Sequence, residues 1–361
     1  MHLVKNFLKF SVIALIFLIF KKSYGIKINI ADLSLPKELY FCGEKVPLED
    51  AHVREMLERE FLLSLFDIPQ VLLWIKRSKR YFPYIEKKLK EYNLPDDLKY
   101  IAIAESSLKI YAYSRSGAVG IWQFIKSTAK KYGLKVNRYI DERYDFYAST
   151  EAALKYLKDL YDEFGSWTLA VAAYNCGEKR MEREIDEQQV SDYYKLNLPL
   201  ETERYIFRIL AAKIILENSK KYGYNLDEDQ LYSEEKFVEV EIKNKLPIHL
   251  RVIAEAANTY FKVIKELNPQ ILGYYLLPGK HKIRIPFQDK KKFYRNYKRL
   301  IKTKLAESEK ASIYIVKKGD TLSLIGKKLN VSVRKLRAWN RLKSDIIYPG
   351  QILRFYKKVI K

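Results

Sequence analysis

The sequence predicts a mainly α-helical protein whose C-terminal third contains small modules of strands and short helices. Between about residues 81 and 225, apolar residues recur at helical spacing between residues that start and end helices. Further on, Phe237–Ile242 alternates between apolar and polar residues, as a strand does. An internal repeat then follows, with a constant offset of 72 residues between Leu250–Asn268 and Leu322–Asn340 and a one-residue slip before the Pro-Gly pairs that come next. Together these patterns indicate one helical domain followed by two related modules.

Capping residues predict the helices of the main domain. Pro95, Asp96 and Asp97 begin the first helix. Glycines end the second and third helices, and Ser166 precedes the fourth. The predicted helices are Asp96 to about Ile110, a helix ending at Gly133, Ser149 to Gly165, Trp167 to Asn175, and Glu201 to Ser219.

The predicted layout has six parts. Each repeat copy is predicted to form two short helices, then a turn at Pro278-Gly279 or Pro349-Gly350, then a strand. The parts are a signal peptide (1–25), an N-terminal lead-in with one or two helices (26–80), the helical domain (81–225), the first copy (236–287), a helical or flexible linker (288–311) and the second copy (312–358).

The N-terminus is typical of an exported protein. Lys5 and Lys9 precede an apolar run from Phe10 to Phe20, and Ser23-Tyr24-Gly25 offers small residues two apart. We expect a cleaved signal peptide and a location in the periplasm or cell envelope. The alternative is an uncleaved anchor flanked by Lys21-Lys22, because the run is short for a spanning helix of about 20 residues.

Composition limits the partners. The chain of 361 residues is 48% hydrophobic, so it can form a core, and its 67 Lys and Arg against 44 Asp and Glu give a net charge of +23. Such an excess indicates a polyanionic partner, which could be nucleic acid, a membrane surface or a wall polymer. The alternative is that lysine is abundant throughout the chain without a binding role. Two cysteines exclude a disulfide scaffold, and the four scattered histidines predict no metal site. No cofactor motif is present.

Glu105 is the candidate catalytic residue. On the predicted helix it lies four residues after Ile101 and three before Leu108, on the apolar stripe. Burial would raise the pKa of its carboxyl and keep it protonated near neutrality, as a glycosidase acid requires. The alternative is a glutamate at the edge of the stripe whose carboxylate reaches water.

Two later segments carry polar side chains that could accompany this acid. Ser114–Phe124 contains two glycines three apart and Gln123, whose amide can bind acetamido or hydroxyl groups. Ala170–Asn175 is a helix of small residues ending in Tyr174 and Asn175, and Tyr174 could support the acid or position a sugar.

The order of these motifs, Glu-Ser, Gly-x-x-Gly-x-Trp-Gln, Ala-x-x-Ala-Tyr-Asn and Glu-Thr-x-x-Tyr, resembles the lysozyme-like domain of soluble-type lytic transglycosylases, and most closely the membrane-bound lytic murein transglycosylase D type. The resemblance implies a lysozyme-like fold with Glu105 as general acid and base. It also implies a substrate groove lined by Ser106, Gln123, Tyr174, Asn175 and Tyr205. The chain departs from the family pattern in two ways. Cys176 stands where the family usually has a small serine or alanine. No lipid-acceptor cysteine follows the apolar run, so the resemblance does not imply attachment to a membrane by a lipid.

The second repeat copy resembles a LysM module, a small βααβ fold that binds N-acetylglucosamine in glycans. Its motifs are Tyr314–Leu322, Asn340 and Tyr348–Gln351. The resemblance implies a sugar groove formed by Gly319, Asp320, Thr321, Ile347 and Pro349. The first copy keeps the helices and Pro-Gly but lacks Gly-Asp-Thr, so it is predicted to be a degenerate LysM-like module. The absence of Gly-Asp-Thr favours a spacer role, and glycan binding is the alternative.

The expected function is cleavage of the glycan strands of peptidoglycan. After Glu105 the next acids are Asp141 and Glu142, so a one-acid route that leaves 1,6-anhydromuramyl ends fits better than hydrolysis. Two alternatives remain: a lysozyme-type hydrolase in which Asp141, Glu142 or Asp145 positions water, and a non-catalytic wall-binding protein. We expect a monomer associated with the cell wall or a membrane, with no cofactor and no nucleic acid partner.

Overall fold

The computed structural model describes residues 33–308 and 312–355. The chain divides into two compact units, residues 1–235 and residues 236–361. The predicted signal peptide, residues 1–25, lies outside the described residues. Among the helices of the described ranges, none combines the length and the apolar character needed to cross a membrane.

The first unit is a helical bundle preceded by a small hairpin, β1 (Tyr40–Phe41) and β2 (Glu44–Lys45), which the sequence pattern does not predict. A short 3-10 segment, Asp96–Tyr100, leads into the third helix. The helices are α1 (Ala51–Phe66), α2 (Ile68–Glu91), α3 (Ile101–Ser106), α4 (Lys126–Lys131), α5 (Phe146–Phe164), α6 (Trp167–Cys176), α7 (Glu178–Gln188) and α8 (Leu200–Glu217).

Helix α3 is shorter than predicted. Its expected continuation to about Ile110 is wrong, because Ser107 and Leu108 both adopt left-handed backbone angles, with φ of 53° and 58°. The Leu108 N–H bonds back to the Ala102 carbonyl at 3.3 Å, which closes the helix end. Leu108 is buried as predicted, but it lies in the loop that follows the helix and not on the helix itself.

Helix α5 starts earlier than predicted, and α6 and α8 lie where expected. The Asp145 carboxylate accepts the N–H groups of Tyr147 and Ala148, so α5 begins at Phe146 and the predicted start at Ser149 is wrong. Gly165 ends α5 with φ of 68°, and Gly177 ends α6 with φ of 91°.

The core of the first unit lies around α8, which packs against α1, α3 and α6. Every residue of α6 from Trp167 to Ala173 is buried, because small side chains let this helix pack closely on both sides. Glu105 on α3, Tyr174 on α6 and Tyr205 on α8 therefore converge on one region of the unit.

The second unit contains both repeat copies, each with its own hydrophobic core. The first copy comprises β3 (Phe237–Asn244), β4 (Ile248–His249), α9 (Leu250–Ala256), α10 (Phe261–Leu267), β5 (Tyr275–Leu276) and β6 (Gly279–Pro286). Strand β3 pairs antiparallel with β6, and β4 with β5. The predicted linker contains α11 (Lys290–Ser308), whose Phe293 is buried in the core of the first copy.

The second copy comprises β7 (Ser312–Ile315), α12 (Leu322–Leu329), α13 (Val333–Asn340) and β8 (Ile352–Phe355), with β7 and β8 antiparallel. One asparagine has the same contacts in both copies. Asn268 donates to the Arg284 carbonyl at 2.7 Å and accepts the Arg284 N–H at 2.9 Å. Asn340 does the same with Arg354, at 2.8 and 2.6 Å. The structure therefore confirms the internal repeat.

Candidate active site

Glu105 lies at the end of α3, where α3 packs on α8. The hydroxyl of Tyr205, a buried residue of α8, donates a hydrogen bond to Oε1 of Glu105. Burial raises the pKa of Glu105 to about 7; the hydrogen bond from Tyr205 and the charge of Arg208 lower this pKa, and the charge of Glu201 raises it. Near neutral pH the carboxyl is therefore divided between its protonated and ionised forms.

Tyr174 on α6 contacts the glycine-rich loop rather than the acid. Its hydroxyl donates to the Trp122 carbonyl at 2.7 Å. Burial, together with the nearby charge of Glu105, raises the pKa of Tyr174 well above its usual range, so the phenol stays neutral. The hydrogen-bond donor to Glu105 is thus Tyr205, and Tyr174 joins α6 to the loop.

The Tyr-Asn and Glu-Thr motifs meet through a further hydrogen bond. The hydroxyl of Thr202 on α8 donates to Oδ1 of Asn175 at 3.2 Å. Cys176, next along α6, is a free and half-buried cysteine, and burial raises the pKa of its thiol to about 11. Cys42 is also free, so the two cysteines do not pair.

The loop that carries Gln123 depends on a close backbone approach. Gly120 has φ of 83°, and a Cβ at this position would lie 2.0 Å from the Arg143 carbonyl oxygen, so only glycine fits. Gln123 also adopts a positive φ of 47°, and its Nε2 donates to the Gly120 carbonyl at 2.8 Å. The amide nitrogen of Gln123 is therefore engaged within the loop.

Ser106 also has an internal partner. Its hydroxyl contacts the Ile121 carbonyl at 2.8 Å and the Ala102 carbonyl at 3.2 Å, and the residue is buried. This side chain fastens the end of α3 to the loop beside Glu105.

Arg143 holds the same loop and was not singled out by the sequence patterns. Its Nη1 donates to the Gly117 carbonyl at 2.9 Å and to the Phe124 carbonyl at 3.1 Å. Its other nitrogens pair with Asp141, at 2.9 Å from Nε to Oδ1 and 2.7 Å from Nη2 to Oδ2. The spacing of Asp141 and Arg143 in the sequence could have indicated that these two side chains pair. It could not have indicated that Arg143 also bonds to the loop of Gly117 and Phe124.

The three acids that could position water all have structural contacts. Asp141 pairs with Arg143, and Asp145 caps α5. Oε2 of Glu142 accepts the Lys135 N–H at 2.7 Å, and burial raises the pKa of this carboxyl. Each of these side chains shapes the backbone around it.

Glu44 of β2 is a second residue that the sequence patterns missed. It accepts the N–H of Trp167 and, at 3.1 Å, that of Thr168, whereas the predicted cap Ser166 makes no side-chain bond to the helix N–H groups. A carboxylate at a helix N-terminus satisfies unpaired donors and complements the helix dipole. The N-terminal hairpin therefore supports the helix that carries Tyr174 and Asn175.

The predicted sugar loops of the second copy are built around Asp320 and Thr321. Oδ2 of Asp320 accepts the Tyr314 hydroxyl at 2.8 Å and the Lys317 N–H at 2.7 Å, and these bonds lower its pKa. Thr321 caps α12, and Gly319 adopts φ of 87°. In the opposite loop, Ile347 packs on the core of this copy and Pro349 is exposed.

No metal centre is evident. Within residues 33–308 and 312–355, no group of three or more His, Cys, Asp or Glu side chains is placed to hold a metal ion.

Two parts of the chain match known families. Residues 82–197 match the transglycosylase SLT domain, and residues 314–355 match the LysM domain. The solved structure of the lytic transglycosylase Slt from Pseudomonas aeruginosa aligns with 42% of this chain and 26% of that chain at 20% identity, with a TM-score of 0.30, too low to support an argument.

Several curated relatives are similar in sequence. The chain is 32% identical over 337 residues to the membrane-bound lytic murein transglycosylase D of Escherichia coli, covering 87% of this chain and 71% of the relative. It is 24% identical to the membrane-bound lytic murein transglycosylase C of Haemophilus influenzae, over 48% of this chain and 52% of that protein. The cell wall-binding protein YocH of Bacillus subtilis is 50% identical over 40 residues, 11% of this chain and 14% of that protein. The chain therefore belongs to the family of membrane-bound lytic murein transglycosylases of the D type.

Proposed function

We propose that this protein is a peptidoglycan lytic transglycosylase and that Glu105 is its catalytic acid and base. The substrate is the β-1,4 bond between N-acetylmuramic acid and N-acetylglucosamine, and the product is a 1,6-anhydromuramyl end. The observation that carries the proposal is the environment of Glu105, whose pKa is raised to about 7 beside a neutral phenol. A carboxyl with that pKa can both donate and accept a proton near neutral pH.

In the first step Glu105 donates its proton to the glycosidic oxygen. Because Tyr205 donates to Oε1, Oε2 is the atom that carries the proton. As the bond between C1 and the glycosidic oxygen breaks, the carbonyl oxygen of the substrate's own acetamido group bonds to C1, and the positive charge passes from C1 to the resulting oxazolinium ion. The chain that leaves takes the proton as a hydroxyl, and Glu105 is ionised.

In the second step ionised Glu105 removes the proton from the C6 hydroxyl of the same sugar. The oxygen at C6 then attacks C1, the acetamido oxygen leaves, and Glu105 is protonated again. Water is not consumed. Tyr205 keeps its hydrogen bond to Oε1 in both steps and stabilises the ionised form between them.

The other predicted residues divide into two roles under this proposal. Gln123 and Asn175 border the glycan groove, whereas Ser106 and Tyr174 position the loop beside Glu105 through their bonds to Ile121 and Trp122. The LysM module holds the glycan near the enzyme through Gly319, Asp320, Thr321, Ile347 and Pro349. The protein acts as a monomer in the cell envelope, exported by its N-terminal segment.

Mass spectrometry of the muropeptides released from purified sacculi tests the proposed reaction. Anhydro products are lighter than reducing-end products by one water, so the two reactions are separated directly. We expect anhydro ends. Reducing ends alone would overturn the proposal in favour of a hydrolase, in which an acid other than Glu105 must position water.

A further inference from the structure

The two repeat copies carry different residues at the end where the second copy is proposed to bind sugar. By the offset of 72 residues, His249 of the first copy corresponds to Thr321, and Tyr275, three residues before the Pro-Gly turn, corresponds to Ile346, three residues before the Pro-Gly turn of the second copy. His249 keeps the capping role of Thr321, because its Nδ1 accepts the Arg251 N–H at 3.0 Å at the start of α9. The first copy therefore has rings where the second copy has a small residue and an aliphatic one.

These rings belong to a cluster of four, His249, Phe261, Tyr274 and Tyr275, called here the aromatic cluster. His249 lies 4.8 Å from Tyr275 and is stacked at 20° on Tyr274, with ring centroids 6.1 Å apart. Phe261 lies 5.5 Å from Tyr274 and 5.7 Å from His249. Such separations are those of interacting aromatic pairs.

The backbone fixes the aromatic cluster in place. Strands β4 and β5 pair directly, with His249 opposite Tyr275, and the Leu250 N–H donates to the Tyr274 carbonyl at 2.8 Å. The Tyr275 hydroxyl accepts a hydrogen bond from Nη2 of Arg354, on β8 of the second copy, at 2.7 Å. Because these contacts are made within the unit, a ligand would meet rings that are already ordered.

The aromatic cluster is nevertheless open to solvent at one of its rings. Tyr274 is 63% exposed, and Leu272, two residues before it in the chain, is 44% exposed. Contiguous exposed apolar surface on a folded protein marks interaction or ligand-binding sites.

The chemistry of this surface fits a sugar ring. A β-1,4-linked N-acetylhexosamine has equatorial substituents, so its two faces present C–H groups and its rim presents hydroxyl and acetamido groups. The face of Tyr274 matches the C–H groups, and the phenol and imidazole edges match the polar rim. The same polymer is the proposed ligand of the second copy, which contacts the aromatic cluster through Arg354.

We propose that the aromatic cluster is a second glycan-binding site, which takes β-1,4-linked N-acetylhexosamine chains by stacking on Tyr274. The site rests on the proposed function only for the identity of the glycan. The first copy then contributes to binding and is not a spacer.

Histidine NMR of the whole chain tests this site directly. The chain has only four histidines, so the imidazole signals of a histidine-labelled Glu105→Gln chain are resolvable, and a His249→Gln variant assigns the signal of His249. On titration with a β-1,4-linked N-acetylglucosamine hexamer, which the Glu105→Gln chain leaves uncut, we expect a saturable shift of the His249 signal and none of His52, which lies on α1.

A pair of tyrosine variants provides the matched control. Tyr274→Ala should weaken the affinity measured by the His249 signal about fivefold, because a stacked ring contributes about 1 kcal/mol. Tyr260→Ala should leave it unchanged, since Tyr260 is 81% exposed on the same copy and lies outside the aromatic cluster. Thermal unfolding of both variants should match that of the parent, because both rings are largely exposed.

A His249 signal that does not move at saturating hexamer, or an affinity that Tyr274→Ala leaves intact, would overturn this site. The readout is independent of cleavage. A chain that shows the His249 shift but releases no anhydro muropeptides refutes the proposed reaction and leaves the site standing.

Discussion

Glu105 and Asp141 are two carboxylates of the same unit that differ in exposure and in partner, because Asp141 is buried and Glu105 is half-buried. Asp141 is 5% exposed and receives two hydrogen bonds from the guanidinium of Arg143, which also holds the glycine-rich loop. Glu105 receives a single hydrogen bond from the neutral hydroxyl of Tyr205. A cation pairs with one carboxylate, whereas a neutral phenol gives the other a hydrogen bond that only partly offsets the effect of burial on its pKa.

This difference indicates what makes a buried acid reactive. Removing a carboxylate from water disfavours its charged form, and a paired cation restores that form. Where the compensation is weak, as at Glu105, the pKa rises toward neutrality and the group can exchange a proton. Glu105 therefore combines a raised pKa with a neutral partner, whereas Asp141 is ion-paired with Arg143.

The largest expected effect is the loss of activity in Glu105→Gln. The amide keeps the shape and can accept the hydrogen bond from Tyr205, but it cannot donate and recover a proton. We expect cleavage of purified sacculi to fall by about 10²–10⁴-fold. The matched control is Glu142→Gln, because its amide oxygen can still accept the Lys135 N–H. Wild-type digestion by Glu105→Gln would place the acid elsewhere.

The next effect concerns the paired carboxylate. Arg143→Leu leaves Asp141 buried without its cation, so we expect the free energy of unfolding to fall by about 3–5 kcal/mol. Denaturant titration measures this loss. Adding Asp141→Leu should recover part of it, because the uncompensated charge is then removed. A cost below about 1 kcal/mol for the single variant would show that the pair is not essential to the loop.

Substitution of Glu105 should raise the free energy of unfolding, whereas substitution of Arg143 should lower it. Its pKa rises from an ordinary value of 4.5 to about 7 on folding, so the folded state binds more protons between these pH values. The contribution of Glu105 to stability is therefore lost as pH rises through this window. Glu105→Gln, which stays neutral, should gain about 1–3 kcal/mol over the wild type between pH 4.5 and pH 8. Chemical denaturation at both pH values checks this, and an equal difference at the two would contradict it.

The smallest effect is that of Tyr205→Phe. The lost hydrogen bond lowers the pKa of Glu105 in the wild type, so its removal should raise that pKa and move the high-pH limb of kcat/KM to higher pH. We also expect kcat to fall about tenfold, because the ionised form of Glu105 loses its donor. Tyr224→Phe is the control, since this buried tyrosine bonds to the Leu65 carbonyl instead. A drop in rate without a shift of the limb would assign Tyr205 a merely structural role.

Helix ends were predicted well where residues next to them in the sequence determine them, and poorly where tertiary contacts do. Trp167–Cys176 was predicted closely because Gly165 and Gly177 punctuate it on both sides. The helix of Glu105 was predicted too long, because its end depends on left-handed angles at Ser107 and Leu108, residues that have no strong preference for them. The start of α5 was misplaced because Asp145, Ser149 and Thr150 are all acceptable caps, and only packing selects Asp145.

The residues that support the candidate site were harder to predict than the residues within it. Glu44 caps a helix that begins more than 100 residues later in the chain, and Arg143 bonds to Gly117 across 26 residues. No pattern of neighbouring residues in the sequence predicts such long-range hydrogen bonds. They form only because helices and loops that are distant in the sequence pack together.

The sequence alone determined the helical class, the repeat, the family resemblance and the choice of Glu105, because these depend on local periodicity and on motif order. Only the tertiary structure decided the partner of each group: Tyr205 for Glu105, Arg143 for Asp141, and the neighbouring tyrosine rings for His249 in the first copy. The physical reason is that the pKa, the hydrogen bonds and the exposure of a side chain depend on atoms that are close in space. Those neighbours come from elements far apart in sequence, so they are known only once the chain has folded.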